Sequence, residues 1–394
     1  MKKKYIPYVV GIPNLSVGLL WAMNMSLIPM LVGTVTDSNL KLGTLTSLGA
    51  FTGIFVQYLA GIISDRSNFK IGKRKPFILG GAILASIAII FIPFSGSYSV
   101  MFIVAFLFYF SLNFFQGPYY TLIPEVVEEK QLGLANGFSK IISVLGSGVI
   151  LITGPVLWNK NHGFPFLFAA FLGIFSVLIG AIPIKENSNK YTKPSKISID
   201  FIKHPSVMKL FMSVFFVFLS YGCITPFFVK YCVQQLNFTN EVASTGLFVL
   251  TIVGALFALP AGIISDKINR KIVLLSGTVI FAIGLGLASL VSSVSSMYLL
   301  LSLIGVGFIC IQVTIYAILA EIVPSERLGE FMGIMNLFVS SSQWIATIAM
   351  GWILDSIGFK YFFPISSVIM FVAAIVIFFS RFENTKREKE SKVR

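Results

Sequence analysis

The sequence predicts an all-α membrane protein with twelve transmembrane helices in two pseudo-symmetric halves of six helices each. Hydrophobic residues make up 56% of its 394 residues and charged residues only 12%, whereas a soluble domain carries about 25% charged residues. A helix that crosses a bilayer needs about 20 mostly apolar residues, and the chain contains twelve such runs. We number them spans 1 to 12, and they cover residues 8–33, 44–63, 76–94, 99–123, 134–157, 164–183, 207–229, 242–263, 272–292, 297–320, 329–353 and 360–380.

An internal repeat divides the spans into two halves. The six residues Ala60–Asp65 at the end of span 2 recur identically as Ala261–Asp266 at the end of span 8. A second matching pair begins at Glu125 and Glu321, each followed by a Leu-Gly pair and a further glycine. Parallel repeats of this kind are a known transporter architecture. The predicted domains are an N-terminal half at 1–184, a linker rich in lysine at 185–206, a C-terminal half at 207–380 and a charged tail at 381–394.

The distribution of positive charge predicts the orientation of the chain. With both termini inside, all but four of the 30 lysine and arginine residues lie on the inner side, and the exceptions are Lys41, Lys160, Lys230 and Lys360. This asymmetry follows the positive-inside rule and predicts a multi-pass protein of the plasma membrane with cytoplasmic termini. The net charge of +14 is then explained by topology and by attraction to anionic lipid head groups, and no nucleic-acid partner is expected. No small-residue cleavage site of a secretory signal follows the basic N-terminus.

Several kinds of chemistry are not expected from this sequence. The three cysteines, Cys223, Cys232 and Cys310, are odd in number and lack metal-ligand spacing, which predicts free thiols. The two histidines, His162 and His204, are too far apart in the chain to suggest a shared site. We find no phosphate-binding loop, metal-ligand cluster or nucleophile triad, so we expect neither an enzyme nor a bound cofactor or metal.

The polar residues within the spans are uncharged amides and aromatic residues. Such groups suit a hydroxyl-rich neutral solute such as a sugar, because they combine hydrogen bonds with aromatic faces. The alternative is that they join helices to one another through hydrogen bonds. The candidate solute-binding residues are Asn14, Trp21, Asn24, Asn113, Gln116, Tyr119, Gln312, Tyr316, Gln343 and Trp344.

Ionisable residues deep in a membrane are costly and mark functional sites, but no Asp or Glu lies in the middle of a span. Glu125 and Glu321 lie at the inner ends of spans 4 and 10. Lys140 is the deepest charge, about two turns or roughly 9 Å into span 5. It either extends its amine to the inner surface, forms an ion pair with Glu125, or lies as a cation in a cavity.

The segment between spans 2 and 3 carries a family resemblance. It reads Gly61-x-x-x-Asp65-Arg66 and then Gly72-Lys73-Arg74-Lys75, which resembles the signature loop of the major facilitator superfamily. The five additional residues 67–71 resemble the sucrose/proton symporters within the glycoside–pentoside–hexuronide:cation carriers. Further matches to those carriers are Asn113-x-x-Gln116-Gly117-Pro118 in span 4 and Trp21-Ala22 with Ser26-Leu27-Ile28-Pro29 in span 1.

The resemblance implies a secondary transporter that works by alternating access between its two halves. It also implies a gating role for the charged turns, in which Asp65 pairs with Arg74 or binds a helix N-terminus and Gly61 permits close helix approach. The alternative is that these charges only set the topology of the chain. The gating residues are Gly61, Asp65, Arg66, Gly72 and Arg74 in the first turn, and Asp266, Lys267 and Arg270, acting less fully, in the second.

Three positions of span 4 depart from related transporters. Plant sucrose carriers place an Asp in the proton-coupling role where this chain has Tyr109, and an Arg where it has Tyr120. Drug exporters of the superfamily place an Arg where this chain has Asn113. The family resemblance therefore implies proton symport, but this chain lacks the carboxylate that usually couples transport to protons. Facilitated diffusion and symport with another ion are the alternatives.

The sequence as a whole predicts a monomeric transporter of a sugar or glycoside in the lipid bilayer. One alternative is an exporter of hydrophobic compounds, which would bind lipophilic cations broadly. The alternative from another class is a non-transporting membrane sensor, which would bind its ligand without flux.

Overall fold

The computed structural model of the chain describes residues 3–186, 204–324 and 327–382. Within these ranges all regular secondary structure is helical. Eleven helical segments are long and apolar enough to cross a membrane, judged by length and composition. The last of them, Leu328–Phe379, contains two helices on either side of a short 3-10 turn. The twelve predicted transmembrane helices are therefore confirmed.

The helices of the first six spans are Ile6–Val9, Asn14–Met25 and Leu27–Gly33 in span 1, then Asn39–Arg66, Lys75–Phe91, Tyr98–Val126, Leu132–Lys160 and Phe164–Ala181. Those of the second six are Pro205–Ile224 and Phe228–Leu236 in span 7, then Asn240–Lys267, Arg270–Leu287, Val294–Ile322, Leu328–Ile357 and Phe362–Phe379. Short 3-10 turns extend several of these helices at their ends.

Spans 1 and 7 are interrupted, although the sequence predicted each as one continuous run. Span 1 breaks at Ser26, whose backbone (φ −129°, ψ −69°) is not helical. Pro29 explains the break, because proline has no N–H to donate to the carbonyl four residues earlier and its ring clashes with that carbonyl. Pro226 acts in the same way in span 7. The Gly222 carbonyl that it leaves unbonded accepts a hydrogen bond from the Thr347 hydroxyl at 3.1 Å.

The chain divides by packing into two compact units, Met1–Lys193 with Pro226–Phe248, and Pro194–Thr225 with Val249–Arg394. The segment Pro226–Phe248 belongs to the first unit because it bonds to spans of the first half. Lys230 Nζ donates to the Asp37 carbonyl at 2.7 Å, and the hydroxyls of Ser26 and Ser244 are 2.5 Å apart. The half boundaries drawn from the sequence repeat stay a prediction.

Glycines allow helix backbones to touch within the first unit. A Cβ on Gly18 of span 1 would lie 1.9 Å from the carbonyl oxygen of Ser143 in span 5, and one on Gly146 would lie 2.3 Å from that of Leu15. Close backbone packing through small residues is typical of membrane helices. Gly61 differs, because no atom of the described residues lies within 4 Å of its would-be Cβ. The close helix approach expected at Gly61 is therefore absent from this structure.

Candidate functional site

Arg74 joins spans 2, 3 and 4 through an ion-pair network at the ends that the sequence predicts to lie inside, here called the inner ends. Its side chain is only 4% exposed, and Nη2 pairs with the carboxylate of Asp65 and with Glu125 Oε1 at 2.6 Å. Nε donates to Glu125 Oε2 at 3.3 Å, and Nη1 donates to Ser64 Oγ at 2.7 Å. Burial opposes the charged form of Arg74, but the hydrogen bond and charge of Glu125, together with Asp65, outweigh it and raise the arginine pKa.

Glu186 caps the start of span 3 and completes this inner-end network. Its carboxylate accepts the backbone N–H groups of Lys73 at 2.6 Å, Arg74 at 3.0 Å and Lys75 at 2.9 Å. These are among the N–H groups that a helix start leaves without intrahelical partners, and a negative charge there is favourable. Gly72 makes room for it, because φ is +127° and a Cβ would lie 2.5 Å from Glu186 Oε1. No local pattern in the sequence predicts the cap by Glu186, which is distant in the chain from Gly72 and Arg74.

The second charged turn repeats the first ion-pair network in a more exposed form. Arg270 Nη2 lies 2.9 Å from Asp266 Oδ1, and Nη1 lies 3.1 Å from Glu321 Oε1. The side chains of Arg270 and Glu321 are 25% and 49% exposed. Ser265, in the position of Ser64, has a buried hydroxyl without a partner among the described residues. Since water screens exposed pairs, the second network holds its helix ends less strongly.

Arg66 and Lys267, the remaining charges of the predicted gating set, are exposed. Neither forms an ion pair with the residues that the structure describes. The gating role of the charged turns stays a prediction. The side chains that the two networks bring together are Asp65, Arg74, Glu125 and Glu186 in the first unit and Asp266, Arg270 and Glu321 in the second.

Asn113 of span 4 is fully buried and bonds within the helix bundle. Its Nδ2 donates to the Gly49 carbonyl at 3.0 Å and to Thr52 Oγ1 at 2.9 Å, while Oδ1 accepts from Gln57 Nε2 at 2.7 Å. This matches the helix-joining alternative for Asn113. Neighbouring Gln116 accepts from Gln57 at 3.4 Å, and its buried Nε2 has no partner among the described residues.

Trp21, Asn24 and Tyr109 form an aromatic and amide group on spans 1 and 4. The Tyr109 hydroxyl donates to Asn24 Oδ1, and the Trp21 and Tyr109 rings are 6.5 Å apart. Trp21 and Asn24 are each partly exposed, whereas Tyr109 is buried. The group therefore offers an accessible indole and an amide NH₂. Two further candidates of the first unit are buried: Asn14 is 7% exposed, and the Tyr119 hydroxyl donates to the Val10 carbonyl at 2.9 Å.

The candidate solute-binding residues of the second unit are more exposed to solvent than most of those in the first unit. Gln312 of span 10 and Gln343 and Trp344 of span 11 are partly exposed, and Tyr316 is 50% exposed. Gln343 packs its backbone against Gly222, whose would-be Cβ lies 2.9 Å from the Gln343 Cα.

Lys140 of span 5 is exposed, and Glu125, its predicted ion-pair partner, binds Arg74 instead. The three cysteines are free thiols. No group of three or more His, Cys, Asp or Glu side chains within 3–186, 204–324 and 327–382 is arranged to hold a metal ion.

Two six-span repeats with matching ion pairs at their inner ends define a multi-span helical membrane protein. The sequence model described as the Major Facilitator Superfamily matches residues 12–208 and 210–394. The chain therefore belongs to the major facilitator superfamily, as its signature loop predicted.

Individual relatives agree with this family. An uncharacterised MFS-type transporter of Methanocaldococcus jannaschii is 24% identical over 381 residues, which cover 94% of each chain. The sucrose transport protein SUC3 of Arabidopsis thaliana is 28% identical over 169 residues, which cover 37% of this chain and 28% of that protein. The sucrose-carrier resemblance predicted from the sequence is thus confirmed as a partial similarity.

A solved structure shows the same fold. It is that of a bacterial homologue of the human lysosomal transporter Spinster, in an inward-facing and occupied conformation. The two share 15% sequence identity and superpose with a TM-score of 0.80 over 96% of each chain.

Proposed function

We propose that this transporter carries a sugar or glycoside across the cell membrane by alternating access. The observation that carries the proposal is the accessible group of Trp21 and Asn24 beside Tyr109. An indole face and an amide are the groups that bind hydroxyl-rich solutes. The partial similarity to sucrose transport proteins supports the same substrate class. We also propose a monomer in the plasma membrane with cytoplasmic termini, on the basis of the positive-inside charge pattern.

Coupling to a cation is a separate part of the proposal. Tyr109 replaces the carboxylate with which sucrose carriers couple to protons, and its hydroxyl donates a hydrogen bond to Asn24. No Asp or Glu lies in the middle of any span. Transport is therefore either facilitated diffusion or symport with a cation bound through other groups, and the proton gradient distinguishes the two.

The charged turns are proposed as the inner gate. Asp65 and Glu125 both hold Arg74, so the network links three helix ends, and its making and breaking would bias two arrangements of the helices. We expect Asp65→Asn to abolish most transport while expression is retained. Asp266→Asn is the matched control, because Asp266 is 70% exposed and its loss should have a smaller effect. Wild-type flux in Asp65→Asn would exclude the gating role.

The primary test is uptake of labelled sucrose, maltose and glucose into proteoliposomes, with and without an inward proton gradient. Gradient-stimulated uptake would indicate symport, and uptake that is independent of the gradient would indicate a facilitator. Binding without flux would favour the sensor. Absence of sugar uptake, combined with broad binding of lipophilic cations, would favour the exporter of hydrophobic compounds.

A further inference from the structure

A cavity of about 480 Å³ lies at the inner ends of spans 8, 9, 10 and 12. Its polar lining includes Ser265 and Asn269, together with the cations Arg270, Lys271 and Arg381. All of these residues belong to the second compact unit of the chain. The second ion-pair network uses Arg270 from this set and leaves the other lining groups without an assigned role.

The internal repeat relates this cavity to the cap of span 3 in the first unit. Lys75 Nζ donates to a carbonyl at the end of span 6 at 3.0 Å, and Lys271 Nζ donates to a carbonyl at the end of span 12 at 2.6 Å. Both members of the second pair follow those of the first at an offset of 196 residues. The same offset places Phe382 where the first unit has Glu186. The second unit therefore has an aromatic ring, which cannot cap a helix, at the position of the capping carboxylate.

The start of span 9 has backbone N–H groups that lack the acceptor present in the first unit. Glu186 accepts three such groups at the start of span 3. Of the equivalent groups, that of Lys271 bonds to the Asn269 side chain at 2.9 Å. Those of Asn269 and Arg270 have no acceptor among the residues that the structure describes. Such a helix start is favourable for a bound anion.

Ser265 is an independent observation that indicates a ligand. The residue is 2% exposed and lines the cavity, and its hydroxyl has no partner within the described part of the chain. Its counterpart Ser64 accepts from Arg74 Nη1, whereas Arg270 Nη1 donates to the Ala317 carbonyl at 2.9 Å. A buried hydroxyl without a partner is costly, and an anionic oxygen in the cavity would accept its hydrogen bond.

The charges of the cavity favour an anion. Asp266 and Glu321 also line it, but both pair with Arg270. Lys271 and Arg381 form no ion pair with a residue that the structure describes. The first unit shows that a helix start of this kind holds an anion beside two carboxylates, because its own cap is a carboxylate next to an Asp-Arg-Glu network.

The surroundings of the cavity are apolar and exposed. Ile268, which lines the cavity, and Ile272, one turn further along the chain, are both exposed, as is Phe379 at the end of span 12. Side chains of this kind at the end of a transmembrane helix suit contact with acyl chains. Basic pockets between transmembrane helices at the inner surface bind the head groups of anionic lipids. The cavity therefore fits a phosphate that carries acyl chains better than free phosphate.

We propose that this cavity binds the phosphate of an anionic phospholipid head group. The Ser265 hydroxyl and the N–H groups at the start of span 9 would donate hydrogen bonds to the phosphate oxygens, and Lys271 and Arg381 would supply positive charge. The membrane would then provide the second network with the anion that Glu186 provides in the first. The inference is independent of the solute that the protein carries.

The test compares two lipids with identical acyl chains on the purified full-length protein. They are phosphatidylglycerol, which is anionic, and phosphatidylcholine, which is zwitterionic, and inorganic phosphate is the anion without acyl chains. Apparent dissociation constants are measured in one detergent at a fixed concentration, at low and at high salt. We expect phosphatidylglycerol to bind about 10-fold more tightly than phosphatidylcholine, as for one hydrogen bond to a charged group. The preference should weaken in high salt because added ions screen the charge.

Variants connect this preference to the cavity. Ser265→Ala and Arg381→Gln should each weaken the binding of phosphatidylglycerol about 10-fold and leave that of phosphatidylcholine unchanged. Lys267→Gln is the matched control, because Lys267 is an exposed cation of the same turn that does not line the cavity, and it should bind as the wild type does. Phe382→Glu places a carboxylate at the position equivalent to Glu186 and should block phosphatidylglycerol binding.

The remaining outcomes overturn the inference in distinct ways. Equal affinity for the two lipids, or a preference that survives both Ser265→Ala and Arg381→Gln, excludes the site. Inorganic phosphate that binds as tightly as phosphatidylglycerol retains a phosphate site and excludes lipid as its source. The residues after Phe382 begin with Glu383 and lie outside the described part of the chain. Phosphatidylglycerol binding that appears only in Glu383→Gln would show that a carboxylate of the chain itself occupies the cavity.

Discussion

Replacement of one carboxylate in each ion-pair network should have unequal effects on stability. Glu125→Gln and Glu321→Gln keep the size of the side chain and remove one negative charge each. Glu125 holds a guanidinium that is 4% exposed through two of its nitrogens. Glu321 is itself 49% exposed and contacts Arg270 at 3.1 Å.

The expected losses of stability follow from the solvent exposure of the two ion pairs. Removal of one partner of a buried pair costs about 3–5 kcal/mol. Because Asp65 still neutralises Arg74 and Glu125 is 22% exposed, we expect about 2 kcal/mol for Glu125→Gln. Exposed pairs contribute about 0–1 kcal/mol, which is our expectation for Glu321→Gln. In a unit of this size 1 kcal/mol corresponds to about 2–4 °C in Tm, so Glu125→Gln should lose roughly 4–8 °C.

The assay is the melting temperature of the purified protein in detergent, followed by the loss of its monomeric peak in fluorescence-detected size-exclusion chromatography. Both variants are compared with the wild type at the same detergent and salt concentrations. A loss for Glu321→Gln equal to or greater than that for Glu125→Gln would show that exposure does not govern the strength of these networks.

Three further predictions concern packing, capping and the thiols. Gly18→Ala should lower the yield of folded protein severely, since its Cβ would lie 1.9 Å from a carbonyl oxygen. Gly33→Ala is the control and should melt as the wild type does, because no atom of the described residues lies within 4 Å of the added Cβ. Normal folding of Gly18→Ala would refute the contact. Glu186→Ala leaves three N–H groups without their acceptor. It should lower the free energy of unfolding by about 1–3 kcal/mol, measured as a lower Tm. An unchanged Tm would show that water replaces the cap without loss of stability. Cys310 is half-buried and Cys223 is buried. Maleimide should therefore label Cys310 before Cys223 in the folded protein. Equal labelling rates would contradict the burial of Cys223.

The spans were predictable because a transmembrane helix is a local property of the sequence. About 20 apolar residues are sufficient to indicate one, and each predicted run contains helix in the structure. The break at Ser26 also had a local signal in Pro29. It was missed because proline within a membrane helix is often tolerated, and only the backbone shows that the helix ends here and restarts.

The residue types of the candidate site could be predicted from the sequence, but most of the contacts that its side chains make could not. The pairing of Asp65 with Arg74 was one of the two arrangements that the family resemblance implied, and it is present. The cap by Glu186 was not predictable, because its contacts depend on how the end of span 6 packs beside the start of span 3. The same holds for Asn113, whose hydrogen bonds depend on the register of span 2 against span 4.

The two halves share a framework but differ in their charges. Each has an Asp-Arg-Glu network at its inner ends, yet the first is more buried and gains Glu186 as a helix cap. Lys140 follows the same pattern, since its counterpart Asn336 is neutral. Since Arg74 is 4% exposed and Arg270 is 25% exposed, substitutions in the first network should lower stability more than the equivalent changes in the second.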